Sequence, residues 1–453
     1  MNVLYAEKRN IYKEITVIAL PAILESLIVT FTSIIDSKMV SALGVKTISA
    51  VSVTIQPRLL ILSIFLAMNI VVSSLVAKYY GKNNQDAANE ILKIVLKVVV
   101  VLSIIFSIIP IIIARPMLLA FANQPDTIDD SVIYFKILIS GMIFNTIYLA
   151  INAAYAGYGK TKITFIGGII TCIVNIIFNY LLIEGRHGFP ALGVRGAAIA
   201  TVIGHIATMI YCIITLLNKK NYINLHYMLR HKYEERYEIY KEIIMQTKNT
   251  FVDKLVQRLS LFIIGAIVAR IGSLQMAVYS VCSNVFNIGF SIGTGSQTAA
   301  VALVGRSYGA KDFDKIKIYR EYILKFTMTL SILLSVGIIF SRHWFITLFS
   351  NEEEFVRLGE VSCIIVGIII LIQSMRFVYI GCLIGLGDMK VVMYTSIVSF
   401  SIVNIGALII LVIVLKQGLY GVWISSFLSQ ASQYIMAYIY LKRDVSKLEK
   451  GEL

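Results

Sequence analysis

Apolar residues in this chain fall in blocks too long and too continuous for a soluble fold. The stretch 91–113 carries only Lys93 and Lys97 as charges, both near its start. At about 1.5 Å per residue, such a block crosses roughly 30 Å of hydrocarbon. A soluble helical bundle would show polar faces at a 3.6-residue period, and these blocks lack them. Spans can be placed at 16–43, 51–77, 91–113, 131–155, 163–184, 194–217, 248–270, 275–305, 321–341, 356–384, 391–415 and 418–441. The expected fold class is all-α and integral to the membrane, with about twelve transmembrane helices.

Charge sets the expected orientation. The net charge of +15 admits a nucleic-acid partner, but the loops explain it better. Lys and Arg cluster in alternate loops: Lys8 to Lys13, Lys78 to Lys93, Lys160 and Lys162, Lys219 to Lys248, Arg306 to Lys325, Lys390, and Lys442 to Lys450. That side outweighs the other by roughly three to one, which puts both termini in the cytoplasm. Asp126, Asp129, Asp130 and Glu352 to Glu354 decorate the opposite loops. The expectation is a multi-pass protein of the cell (plasma) membrane, with the lipid bilayer as a partner and no nucleic acid. The five cysteines all lie in apolar stretches without metal-like spacing, so they read as packing residues and no metal site is expected.

The chain also repeats itself. Val40-Ser-Ala-Leu-Gly44 resembles Val268-Ala-Arg-Ile-Gly272, 228 residues later. Tyr80-Gly81 and Tyr308-Gly309 share that offset, as do Gly157-Tyr-Gly159 and Gly385-Leu-Gly387. Gly193 and Gly196 return at Gly418 and Gly421, offset by 225. Each half holds six spans, an even number, so both enter and leave on the same side. This predicts a parallel repeat of two pseudo-symmetric six-helix bundles about an axis along the membrane normal. The expected domains are an amino-terminal lobe at 1–217, a cytoplasmic linker at 218–247 and a carboxy-terminal lobe at 248–453. The linker holds the charged run Arg230 to Arg236.

No hydrolase, kinase or phosphate-loop motif occurs, so neither an enzyme nor an ATP-driven pump is expected. The informative residues are charges inside the spans, each costing roughly 2.5–3.5 kcal/mol on insertion scales. Glu25 and Asp36 lie eleven residues apart in the first span. Steps of about 100° bring them to one helix face, some 16 Å apart along the axis. A proton taken up by a buried carboxylate removes a charge from hydrocarbon, which suits proton coupling. The alternative for Asp36 is a local pair with Lys38. Asn175 and Asn179 share a face of the fifth span and can bind an ion's waters or glue helices together. In the second half, Lys254, Gln257 and Arg258 open the seventh span, and Gln373 and Arg376 lie in the tenth. These cations fit substrate or gating roles, or ion pairs with Asp253, Glu25 or Glu360. Arg58, after Pro57, either snorkels outward or pairs across a cleft.

Several of these segments resemble the multidrug and toxic compound extrusion (MATE) family. They are Pro21-Ala-Ile-Leu-Glu25, Ile35-Asp36-Ser-Lys-Met-Val-Ser-Ala-Leu-Gly44, Gly157-Tyr-Gly159-Lys160, Asn175-Ile-Ile-Phe-Asn179-Tyr180, Gly193-Val-Arg-Gly196 and Gly385-Leu-Gly387-Asp388. The resemblance implies a V of two bundles around a central cleft, and export of an organic substrate in exchange for H⁺ or Na⁺. It makes Asp36 the first-helix cation-coupling carboxylate and Asn175 part of the polar cluster beside it. Asn179 matches the NorM-type bacterial branch, since archaeal-type members carry Asp there. Gln257 and Gln373 fall where NorM-type members place acidic residues, with Arg258 and Arg376 close by. That charge reversal points to an anionic or zwitterionic substrate, whereas lipophilic cations are usual for the family. A monomer is expected, with no cofactor beyond the coupling ion. The alternative is a flippase of a lipid-linked precursor, which also uses a cationic central cavity.

Overall fold

The structure is a computed structural model that describes residues 2–120, 127–230 and 236–449. Asp126, the run His231 to Glu235, and Lys450 lie outside the described residues. Every expected span coincides with helix. The first three are α1 (Asn2–Ser41), α2 (Val45–Gly81) and α3 (Gln85–Ile112). After a short α4 (Ala114–Leu119), the fourth span is a pair, α5 (Ile128–Ser140) and α6 (Met142–Gly157). Next come α7 (Thr161–Leu182), α8 (Val194–Leu217) and the short α9 (Leu225–Arg230). The second half holds α10 (Arg236–Ile271), α11 (Ser273–Gly309), α12 (Phe313–Thr347) and α13 (Glu353–Leu386). The eleventh span alternates α14 (Met389–Ser396), a π-helical run Ile397–Val403, α15 (Asn404–Leu408) and a second π-helical run Ile409–Val414. It ends before α16 (Gly418–Glu449).

Among the described residues, nine helices are each long and apolar enough to cross a membrane, and the α5–α6 pair makes a tenth. The other two spans fall short of that mark for opposite reasons. The spanning part of α10 carries Lys254, Arg258 and Arg270, and α16 is rich in serine and glutamine. Lys254 of α10 and Gln433 of α16 belong to the buried network described below.

The repeat holds at the level of backbone. α2 and α11 begin and end 228 residues apart, and α3 and α12 begin at the same offset. The turn before α3 places Asn83 in the left-handed region at φ 54°, and the turn before α12 does the same with Lys311 at 59°. Non-glycine residues seldom adopt that conformation, so its recurrence marks a duplicated turn. Asn84 then caps α3 by accepting from the backbone N–H of Ala87, and Asp312 caps α12 by accepting from that of Lys315. The glycine at the end of α6 repeats its task too. A Cβ on Gly157 would lie 2.5 Å from the carbonyl oxygen of Ser73, and one on Gly385 would lie 3.2 Å from that of Val301. Both pairs preserve the offset, so each copy uses glycine to bring helix backbones close.

The bend between α5 and α6 measures 45° and sits at Gly141, where a Cβ would lie 2.4 Å from Val202 Cγ2 on α8. A bend of this size strains the helical ladder, and side-chain donors from neighbouring helices support the carbonyls beside it. Ser107 of α3 donates its hydroxyl to the carbonyl of Ile139 at 2.9 Å.

The chain divides into two compact units. One is Leu27–Thr247, and the other joins Met1–Ser26 to Lys248–Leu453. Both boundaries fall inside continuous helices, α1 and α10. The expected linker at 218–247 contains α9 and the opening turns of α10. Its first part is fastened within its own unit: Asn89 and Gln85 both donate to the carbonyl of Tyr222, and Lys78 pairs with Glu242 at 2.6 Å. In the first unit, Val40, Tyr134, Leu138, Ile183, Val194 and Ala198 form an apolar cluster that ties α1, α5, α7 and α8 together. In the second, a larger core joins Val268, Cys282, Val366, Ile370 and Trp423.

Candidate functional site

In the unit Leu27–Thr247, the site grows from the Val40 cluster, which fixes the end of α1 against α7 and α8. Asp36 lies one turn before Val40 and is half-buried. Asn179 on α7 donates its amide Nδ2 to Asp36 Oδ1 at 2.7 Å and to Asn175 Oδ1 at 3.2 Å. Asn175 donates in turn to Thr201 Oγ1 on α8 at 3.3 Å. Both asparagines are buried, at 2% and 1% exposure. The amide oxygen of Asn179 is buried with no hydrogen-bond partner. Buried polar atoms are rarely left so, and this one lies next to a carboxylate. An acceptor cluster of that kind can take a proton, a cation or an ordered water.

Lys38 is exposed, and no Asp36–Lys38 ion pair occurs among the described residues. The charge that acts on Asp36 is Arg58 of α2, which also acts on Tyr134 and His205. The buried Nε of Arg58 has no partner. Glu25, on the same helix as Asp36, belongs to the other compact unit.

The unit built on Lys248–Leu453 buries a different set. Asp253 of α10, 2% exposed, sits where Glu25 sits in the first copy, 228 residues on. Gln257 Nε2 donates to its carboxylate at 2.7 Å, Lys254 pairs with it at 3.1 Å, and Ser396 of α14 donates its hydroxyl to it. Gln433 of α16 donates to Ser396 Oγ at 2.7 Å and accepts from Arg376 of α13 at 2.8 Å. Arg376 is 3% exposed, and its guanidinium lies 5.9 Å from the ring centre of Phe400. A relay of two bridging side chains therefore joins a buried guanidinium to a buried carboxylate.

Of the predicted cationic group, Lys254, Gln257 and Arg376 share this network. Gln373 lies one turn from Arg376 at 0% exposure, with both amide atoms unpartnered. Arg258 stands apart: it is half-buried and makes no ion pair among the described residues. Sequence reasoning named Asp253 only as an alternative ion-pair partner for the cations, and gave no role to Ser396 or Gln433. The repeat offset from Glu25 could have found Asp253, and the four-residue spacing of Ser425, Ser429 and Gln433 marks the polar face of α16.

Fold and site together define a duplicated, all-α, multi-pass membrane protein with a polar cluster buried in each copy. The comparisons then fix its family. The MatE family model matches residues 21–181 and again 250–410, two segments at nearly the offset of the repeat. The chain belongs to the MatE family, whose members are transporters. It is 24% identical over 354 residues to the probable multidrug resistance protein YoeA of Bacillus subtilis, covering 77% of this chain and 75% of that one. A structure of an outward-facing multidrug resistance MATE family transporter of the MOP superfamily superposes with TM-score 0.90 at 18% identity, over 97% of each chain. A MOP superfamily transporter from Pyrococcus furiosus, described as having a binding pocket of reversed polarity, gives 0.88 at 18% identity, again over 97% of each. At that identity the structural likeness concerns the fold.

Proposed function

We propose that this protein is a secondary active exporter that moves an organic substrate outward in exchange for H⁺ or Na⁺, coupled at Asp36. One observation carries the reading: a half-buried carboxylate hydrogen-bonded to Asn179, whose own amide oxygen is buried and unpartnered. Uptake of a proton or cation there changes the net charge beside Arg58. A charge change inside a low-dielectric unit biases any conformational equilibrium in which that cluster is rearranged. Asn175 and Thr201 hold Asn179 in place for this role. Glu25 joins the coupling path along α1, and no cofactor beyond the coupling ion is needed.

The other unit already carries its compensating charges, Lys254 and Arg376, around Asp253. That arrangement supports a division of labour in which it contributes substrate binding or gating. Arg258, which makes no ion pair among the described residues, is the substrate-facing cation in this reading, and Arg376, Gln373, Gln257 and Lys254 shape and gate the site around it. An anionic or zwitterionic substrate follows. The multidrug resistance name of the Bacillus relative supports small organic substrates, and favours export over the lipid-linked-precursor flippase. The protein works as a monomer in the plasma membrane, with both termini in the cytoplasm.

The test is transport in proteoliposomes under an imposed H⁺ or Na⁺ gradient. Asp36→Asn reduces gradient-driven transport to background while the protein stays folded; wild-type rates in that variant would sink the mechanism. Competition by anionic but not cationic compounds, lost in Arg258→Gln, checks the substrate class.

A further inference from the structure

At one end of the unit built on Lys248–Leu453, α10 and the second π-helical run flank an open pocket of about 340 Å³. Its wall is apolar: Ile267 and Ile271 from α10, Val412 and Ile413 from the π-helical run. Its rim holds Arg270 and Lys416. None of the lining residues is acidic, and neither cation makes an ion pair among the described residues. The backbone of Lys416 is held in the left-handed region at φ 52°. Two backbone bonds fix that turn, Leu415 N–H to the Ile410 carbonyl and Gln417 N–H to the Leu411 carbonyl, each at 2.9 Å. The cation is thus mounted on a closed turn. The amino end of α16 opens on the same pocket at Gly418 and adds its partial positive charge.

The other copy of the repeat does not carry the two cations. The positions that match Arg270 and Lys416 hold Ala42 and Ala191. These cations are therefore not part of what the repeat needs in order to fold. Ile413 is 60% exposed, so a hydrocarbon chain can lie along this wall while its headgroup reaches the rim. Ligand pockets run from about 300 to 1,000 Å³. This one sits at the low end, which suits the head-proximal part of one acyl chain better than a drug-sized molecule.

We propose that this pocket binds an anionic phospholipid, with its phosphodiester between Arg270 and Lys416 and its acyl chain against Ile267, Ile271, Val412 and Ile413. A zwitterionic lipid offers no net charge to the two cations. An anionic one gains from each of them.

The test uses the full-length protein, stripped of lipid in a neutral detergent, with binding read by native mass spectrometry and thermal shift. Phosphatidylglycerol should bind and raise the melting temperature, and phosphatidylcholine and inorganic phosphate should do neither. Arg270→Gln combined with Lys416→Gln should weaken phosphatidylglycerol binding about tenfold or more. The charge-keeping pair Arg270→Lys with Lys416→Arg should retain it, which separates loss of charge from loss of fold. Ile413→Asp places a carboxylate on the wall and should weaken binding too. Equal binding of phosphatidylcholine, unchanged binding in the double glutamine variant, or full protection by phosphate alone would each overturn the proposal, the last by revealing a site for free anions.

Discussion

Two copies of one scaffold hold their buried carboxylates in opposite ways. Asp36 faces an amide that is itself short of a partner, and its one nearby cation is not bonded to it. Asp253 is enclosed by an amide, a hydroxyl and an ammonium, with a guanidinium two bridges away. The left-handed turns before α3 and α12, their side-chain caps and the close-packed Gly157 and Gly385 recur in both copies. What a duplicated membrane fold conserves is therefore the geometry of its helix ends. What it leaves open to divergence is the polar chemistry of its interior.

The contrast can be attacked first where it stores most energy. Removing a buried guanidinium leaves its partner Gln433 unpaired and takes compensating charge from Asp253, at up to about 3–5 kcal/mol. Arg376→Gln should destabilise the protein by that order in a detergent melt. Arg376→Lys should recover only part, because an ammonium lacks the planar fork of the guanidinium. A loss below about 1 kcal/mol would mean that the relay through Gln433 and Ser396 does not hold the pair together.

A smaller effect sharpens the functional half. Hydrogen bonds to charged groups contribute about 1.5–3 kcal/mol. Asn179→Leu removes the bond to Asp36 and should slow gradient-driven transport about tenfold or more with little change in melting temperature. Gln257→Leu removes the matching bond to Asp253 and should show the reverse, a lower melting temperature with coupling intact. If both variants behave alike, the two clusters do the same work.

The smallest effect tests the shared scaffold. Asn84→Ala and Asp312→Ala each remove a helix cap, worth about 1 kcal/mol. Only the second should depend on pH. Asp312 is held below the usual carboxylate value of 3.8, first by the side chain of Lys315 and then by its backbone N–H. Its contribution is present above that value and fades as acid takes the pH down through the lowered one. Melting curves at neutral pH and near pH 3 separate the two variants.

Much of this was legible before any coordinates. Apolar blocks carry the spans in their length, and glycines at helix ends carry the repeat in their offset. The Asp36 cluster was legible too, because two asparagines four residues apart share a helix face and a carboxylate in hydrocarbon is conspicuous. The relay from Asp253 to Arg376 was not. Its members come from four helices, with Asp253 more than a hundred residues before the other three, and the links between the charges are a serine and a glutamine, which signal nothing alone. Arg58 was left between two roles for a related reason: a cation after an intrahelical proline has several escapes, and only packing selects among them. The unit boundary inside α1 was also invisible, since a helix that continues leaves no mark in sequence where its neighbours change.

The bend at Gly141 bears on how the chain is made. The carbonyl of Ile139 beside it accepts a hydrogen bond from a hydroxyl of α3, a helix that leaves the ribosome before α5 and α6 do. The donor is thus in the bilayer before the acceptor arrives, and the bend can form as its second arm inserts. A chain that delivered Ile139 ahead of Ser107 would form the bend without that donor, so the order of the helices matches the order in which the contact can be made.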